Sequence, residues 1–116
     1  MGRYRTVITY NHYFENFLDT LNSKQQAKIL QTLRLLEELE VVPSAFLKHL
    51  EGKKGLYEIR SSLGNDTFRI FCCFDEGRII VLLGGFQKKT RKTPSREINK
   101  AEKIKEQYFI EKNREK

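Results

Sequence analysis

Arg60 and Arg69, on two predicted strands, and the cluster Lys88-Lys89-Thr90-Arg91-Lys92, at the end of a third, are the side chains here best suited to chemistry. The cluster puts four cations within five residues, just after the apolar run Ile79-Ile80-Val81-Leu82-Leu83 and the pair Gly84-Gly85. A fold needs the apolar run; it does not need the cations. Such a cluster binds an anion or is a solvated loop. Arginine forks match the nonbridging oxygens of a phosphodiester. A lysine crowded by other cations has its pKa lowered toward a useful range. These groups suffice for cleavage of RNA, which carries its own nucleophile in the 2′-hydroxyl. The protein then holds the phosphate in line, stabilises the added negative charge and helps protons move. No metal or other cofactor is expected, and DNA, lacking the hydroxyl, would be spared.

Other groups have two readings each. Glu58 lies two residues from Arg60 and shares its face. It is either a general base or the ion-pair partner of Arg60 or Arg69. His49, in a predicted loop, could shuttle a proton near neutral pH; His12, before a helix, reads as structural. Lys48, Lys53 and Lys54 precede the second strand, and eight cations against two acids lie between Phe86 and Lys105. An anionic strand crossing the sheet could meet all of these. Phe86 is a candidate for stacking on a base, or a core residue.

The elements that must position these groups follow from periodicity. Arg5 to Tyr10 is β-branched and aromatic and predicts a first strand. Tyr13 to Leu21 predicts a short helix. Ser23 with Gln26 has capping-box spacing for a longer one, with Ala27, Ile29, Leu30, Leu33 and Leu36 on its apolar face. Glu37-Glu38-Leu39-Glu40 reads as a solvated helix end, closed by Pro43. Leu56 to Ser62, Thr67 to Phe74 and Arg78 to Phe86 then predict three strands, with turns at Gly64-Asn65 and Glu76-Gly77. Thr93 can cap a last helix with Pro94 at its first position. Ile98, Ala101, Ile104, Lys105 and Tyr108 follow at helical spacing.

The expected fold is α+β: an N-terminal strand plus a three-strand meander in a small antiparallel sheet, with helices on one face. With Gly64 and Asn65 as the turn, Arg60 falls directly opposite Arg69. Like charges across a strand pair are destabilising, so the arrangement suggests an anion between them. With Glu76-Gly77 as the second turn, Phe74 pairs with Ile79 and Arg69 with Gly84. Ile80, Leu82, Gly84, Phe86 and Lys88 then share the arginine face. The two glycines would open a floor for a ligand beside Arg69, or mark a bulge that shifts the register.

The 116 residues predict one domain over positions 1–116, with 111–116 frayed. A net charge of +7 favours a polyanionic partner. No run is long enough to span a bilayer. Met1-Gly2-Arg3-Tyr4-Arg5 lacks the apolar stretch of a secretion signal. Gly2 fits a myristoylation pattern only loosely. Cys72 and Cys73 are strand neighbours on opposite faces, poorly placed to bridge each other, and read as reduced packing residues. With His12 and His49 as the only histidines, a zinc site is not expected. A cytoplasmic protein without a membrane partner is expected.

An ordered set of short motifs then carries a resemblance. These are Lys48-His49-Leu50-Glu51-Gly52, Gly55-Leu56-Tyr57-Glu58-Ile59-Arg60, Phe68-Arg69-Ile70, Leu82-Leu83-Gly84-Gly85-Phe86-Gln87-Lys88-Lys89-Thr90 and Lys92-Thr93-Pro94. Together they resemble the phage-derived HigB-like branch of the RelE/ParE toxin superfamily, over about residues 46–108. The resemblance implies a RelE-like fold and the toxin of a type II toxin–antitoxin system. Such toxins are endoribonucleases that cut mRNA in the ribosomal A site. The implied partners are a HigA-like helix-turn-helix antitoxin, mRNA and the ribosome with its rRNA. Carried over by motif, Arg60 and Arg69 would grip the scissile phosphate. Lys88 and Lys89 would supply charge or move protons, and Lys48 and Lys53 would bind flanking RNA, joined by Lys54, Phe86, Arg91 and Lys92 from the basic pattern. Many relatives carry His or Asn where this chain has Gly84, which leaves the general acid and base unassigned. A late tyrosine like that used by RelE would be Tyr108, whose helical spacing reads as packing. The alternatives are a non-catalytic RNA- or antitoxin-binding module and a gyrase poison of the ParE type.

Overall fold

Three strands rich in apolar residues in the second half of the chain, joined by two short strands from the first half, build a five-stranded sheet, and its two faces bury two separate cores. The computed structural model describes residues 3–115. Met1 and Gly2, and Lys116 of the expected frayed tail, therefore lie outside the described residues. The order is β1 (Thr6–Thr9), α1 (Tyr13–Leu18), α2 (Ser23–Glu38), β2 (Leu47–His49), β3 (Tyr57–Leu63), β4 (Asp66–Asp75), β5 (Ile79–Lys88) and α3 (Ser95–Arg114). The strands lie in the order β1-β5-β4-β3-β2.

The meander β3-β4-β5 is antiparallel as expected, with three corrections around it. β1 pairs with β5 in parallel, so the sheet is mixed. A short strand, β2, joins the far edge where a loop was expected, pairing Lys48 with Glu58 and His49 with Tyr57. The helices cover both faces, not one. Phe14, Phe17, Ile29, Leu33 and Leu36 of α1 and α2 pack on Ile59, Phe68, Ile70, Cys72, Ile80 and Leu82. Ala101 and Ile104 of α3 pack on Phe71, Cys73, Val81 and Leu83 from the other side. Cys72 and Cys73 thus sit in different cores, both unpaired, and burial pushes the Cys73 thiol up to about 11.

Local signals set most element ends, with shifts. The capping box of α2 is one residue earlier than expected: Gln25 N donates to Asn22 Oδ1 at 2.9 Å, and Asn22 N donates to Gln25 Oε1 at 3.0 Å. Helix α2 ends at Glu38, well before Pro43, because a side chain from β1's approach caps it. The Arg5 guanidinium donates to the carbonyls of Leu36, Leu39 and Glu40 at 3.2, 2.7 and 2.9 Å. Those of Leu36 and Leu39 are among the carbonyls a helix end leaves without partners, and Glu40 lies just beyond the cap. Glu37 is not solvated: its carboxylate accepts from Val7 N on the β1 edge at 2.9 Å. Residues 111–114, expected to fray, are helical. Tyr10 Oη donates to Glu111 at 2.6 Å, and Lys112 Nζ donates to Asp75 at 2.6 Å. No helix among the described residues is long and apolar enough to cross a membrane.

Candidate active site

The turn Gly64-Asn65 sets the β3–β4 register, and the pairing is the expected one: Leu63 with Asp66, Ser61 with Phe68, Arg60 with Arg69. Both arginines therefore project from the same face, the one that α3 covers farther along the strands. Between them sits Glu58, only 2% exposed. Arg60 Nε and Nη2 donate to its Oε1 at 3.4 and 3.3 Å. Arg69 Nε lies 3.5 Å from the same oxygen, within ion-pair range. The geometry of that contact is not a hydrogen bond, so Arg69 Nε is a buried donor without a partner among the described residues. Arg69 Nη1 donates to the Phe68 carbonyl at 3.1 Å. Burial, reinforced by Arg60, pulls the Arg69 pKa below its ordinary value against the opposing pull of Glu58. A guanidinium remains charged under such a shift.

The β4–β5 register differs from the expected one in two steps. The second turn holds Glu76, Gly77 and Arg78, so Asp75 pairs with Ile79 and Phe74 with Ile80. A bulge at Leu83 then adds a second residue, since Cys72 pairs with Leu82 but Phe71 with Gly84. Arg69 ends opposite Phe86, not Gly84. The first shift sends Ile80 and Leu82 to the core of α1 and α2, against expectation. The two shifts together restore the parity beyond the bulge, and Phe86 and Lys88 do lie on the arginine face. The Gly84-Gly85 pair does line a cavity, of about 230 Å³ between α1, β5 and α3, but Arg69 is not part of its lining. Gly84 adopts φ +120° at the bulge, and a Cβ on Gly85 would meet the Phe17 ring at 2.8 Å and the Arg69 carbonyl at 2.9 Å. Gly85 lets α1 approach β5.

Lys88 completes the cluster. Burial lowers its pKa first, and Arg69, Arg60 and Lys48 add to the effect, with Glu58 opposing. Those same neighbours locate Lys48, on β2 beside Glu58, at the site. Lys89 and Arg91 join Arg69 and Lys88 along one surface groove, and Arg69 also lines a second groove with Arg60, Lys28 and Thr67. Lys92 is exposed in the same loop. Phe86 is half-buried and stacks on Phe71, centroids 5.7 Å apart, so one ring face is already taken. Lys53 stands apart, paired with Glu102 of α3 at 3.2 Å. The backbone carbonyl of Lys54 accepts from Lys105 Nζ, and its side chain is exposed.

His49 is removed from this chemistry: it packs edge-on against Tyr57, centroids 5.0 Å apart, on the opposite face. Tyr108 donates to Asp75 at 2.7 Å at the far end of β4. Six strand residues, or roughly 20 Å, separate Asp75 from Arg69. Sequence reasoning missed Thr93. It does not cap α3, whose N-cap is Pro94. Its hydroxyl donates to Glu58 Oε2 at 3.0 Å. The cap-like spacing concealed this role, and no local signal points across the fold to Glu58.

The arrangement presents two guanidiniums, a depressed lysine and a cationic loop around one buried carboxylate, open to solvent along two grooves. It can grip a phosphodiester and move a proton beside it. Comparison with known proteins bears on family and fold. The family described as "Phage derived protein Gp49-like (DUF891)" matches residues 16–106. Among solved structures, a chain of the archaeal RelE-RelB complex from Pyrococcus horikoshii OT3 is similar, with a TM-score of 0.55 at 21% identity. The alignment covers 77% of this chain and 99% of that one. A likeness at that identity is one of fold. No curated protein matches the chain.

Proposed function

This chain belongs to the phage-derived Gp49-like family, and on that premise we propose that it is the toxin of a type II toxin–antitoxin pair, a HigB-like endoribonuclease that cuts mRNA on the ribosome. The observation that carries the reading is the cross-strand pair Arg60 and Arg69 beside Lys88. Glu58 offsets only one of the two like charges that this position brings together; an anionic substrate rationalises the excess that remains. Arg60 and Arg69 grip the nonbridging oxygens of the scissile phosphate. The 2′-oxygen of the preceding ribose attacks phosphorus and the bond to the 5′-oxygen breaks, leaving a 2′,3′-cyclic phosphate and a 5′-hydroxyl. Lys88, its pKa lowered by burial and by neighbouring cations, accepts the 2′-hydroxyl proton as the amine. A proton must also reach the leaving 5′-oxygen, from Lys88 once charged or from solvent. Lys89 adds charge at the rim. Lys48, Arg91 and Lys92 hold flanking RNA or rRNA, with Lys53, Lys54 and Phe86 at the margins. No step calls on a metal, because the nucleophile is the substrate's own and the charge is met by arginine and lysine.

The partner of this reading is a HigA-like helix-turn-helix antitoxin, in line with the fold shared with a chain of the RelE-RelB complex. The test adds purified protein to ribosomes translating a defined mRNA and maps the ends by primer extension, with Arg69→Ala alongside. Cuts within A-site codons are expected, and the variant should lower the rate by about 10²–10³-fold, the scale of one lost charge-stabilising donor. No cuts from folded protein would overturn the nuclease reading in favour of a binding module. Inhibition of gyrase supercoiling would overturn it in favour of a gyrase poison.

A further inference from the structure

Glu58 is the one acidic group at the centre of a cationic site, and it is the most buried member of it, at 2% exposure. Both of its oxygens are engaged. Oε1 is shared by Arg60 Nε and Nη2 at 3.4 and 3.3 Å and faces Arg69 Nε at 3.5 Å. Oε2 accepts from Thr93 Oγ1 at 3.0 Å. A base for the 2′-hydroxyl needs a lone pair within reach of substrate. This carboxylate offers its lone pairs to the protein. Its contacts draw the Nε edges of both guanidiniums inward. Among the described residues, Arg60 Nη1 and Arg69 Nη2 make no hydrogen bond, so these outer donors are left for another anion.

We propose that Glu58 is the positioning residue of this site: it orients Arg60 and Arg69 toward a single phosphate and, through Thr93, ties the cationic loop 89–92 to them. The inference rests on the nuclease reading for the substrate, a phosphodiester of single-stranded RNA. The carboxylate also cancels one of the two arginine charges, so a bound phosphate neutralises the trio. That balance favours release after cleavage over tight ground-state binding. Thr93 starts the segment leading into α3, and its hydroxyl makes the loop's position depend on the same carboxylate as the arginines.

Two assays separate this role from the alternatives: ribosome-dependent cleavage over a pH series, and binding of an RNA oligonucleotide made uncleavable by a 2′-deoxy substitution. Glu58→Gln keeps the shape and removes the charge. It is expected to bind the uncleavable RNA at least as tightly as the wild type, yet to cleave about 10²-fold more slowly, the cost of misplaced gripping groups. The limb of the pH–rate profile assigned to Lys88 should remain and move to lower pH. Lys88 faces Arg69 on β4, Arg60 and Glu58 on β3 and Lys48 on β2, and Glu58 alone of these holds its pKa up. Thr93→Val, which removes only the hydroxyl, should lower cleavage several-fold with unchanged binding, and it guards against a folding defect in the first variant. Disappearance of the acid limb in Glu58→Gln would make Glu58 the general base and overturn the proposal. Wild-type cleavage in both variants would overturn it too. If the wild-type protein makes no cuts, the nuclease reading falls, and binding alone decides: weaker RNA binding by Glu58→Gln sinks the positioning role.

Discussion

Arg69 and Lys88 divide the chemistry between a group that cannot lose its proton and one that can. The Arg69 side chain is 11% exposed, and its charge survives because a guanidinium's proton is held too firmly for burial to remove. Lys88 has no such reserve, and burial together with Arg69, Arg60 and Lys48 moves it down from the ordinary lysine value. A lowered pKa means that the free amine is populated at lower pH than for an exposed lysine, so a reaction needing the amine gains rate as pH rises through that lowered value. Lys88→Arg keeps the positive charge and forbids deprotonation. It should bind RNA normally and cleave about 10²–10⁴-fold more slowly, the range for lost proton transfer, with that pH dependence gone. A Lys88→Arg protein of normal activity would reduce Lys88 to a phosphate contact.

At the scale of elements, the bulge in β5 and the clamp on α3 hold the site in place. The bulge at Leu83 sets which face Phe86 and Lys88 occupy; Gly84 permits it with a φ of +120°, and Gly85 admits Phe17 of α1 against the strand. Gly85→Ala forces a Cβ to 2.8 Å from the Phe17 ring and 2.9 Å from the Arg69 carbonyl, and the carbonyl, being backbone, cannot yield without moving β4. It should destabilise the fold by about 1–3 kcal/mol, as overpacking does, read as a lower urea midpoint with an unchanged slope. Because Arg69's own backbone is struck, cleavage should fall as well, even in the fraction that is folded. At the other end of β4, burial pushes the Asp75 carboxyl up, but the Lys112 ammonium and the Tyr108 hydroxyl bound to it outweigh that and hold it below the usual range. The same contacts push the Tyr108 hydroxyl, already raised by burial, above the ordinary tyrosine value. This anchor fixes α3 over its core and gives Tyr108 a structural occupation far from the arginines.

For the molecule as a whole, the +7 charge is distributed unevenly. Lys53, Lys112 and Arg60 face acidic partners, whereas Lys48, Lys89, Arg91 and Lys92 are exposed in or beside the grooves that meet at Arg69. A single strand engaging these four exposed cations should bind with a log–log salt slope of about −2.8. A slope near zero would return the loop to a solvated role. The mixed sheet with helices on both faces leaves this end of one face as the exposed stretch where strand cations gather, since α3 covers the rest.

How much of this was legible depends on how far apart in the chain the deciding contacts lie. The β3–β4 hairpin turns on two adjacent residues, Gly64 and Asn65, so local chemistry alone placed Arg60 opposite Arg69 and Glu58 on their face. The basic loop, the apolar strands and the three helices were equally local, being matters of period and charge. The β4–β5 register was not, because a three-residue turn and a bulge each displaced it by one. Phe86 and Lys88 came out on the correct face only because the two errors cancel, while Ile80 and Leu82 did not. The parallel β1–β5 pairing, the Arg5 cap on α2 and the Thr93 bond to Glu58 join residues about 30 or more positions apart, while β2 pairs only 8–12 positions away but, at three residues, is too short for its period to show. Sequence determined the inventory of the site, since residue type sets charge and reach. Tertiary structure decided its arrangement: which cations stand free, which are neutralised, and that a buried carboxylate holds the two arginines side by side.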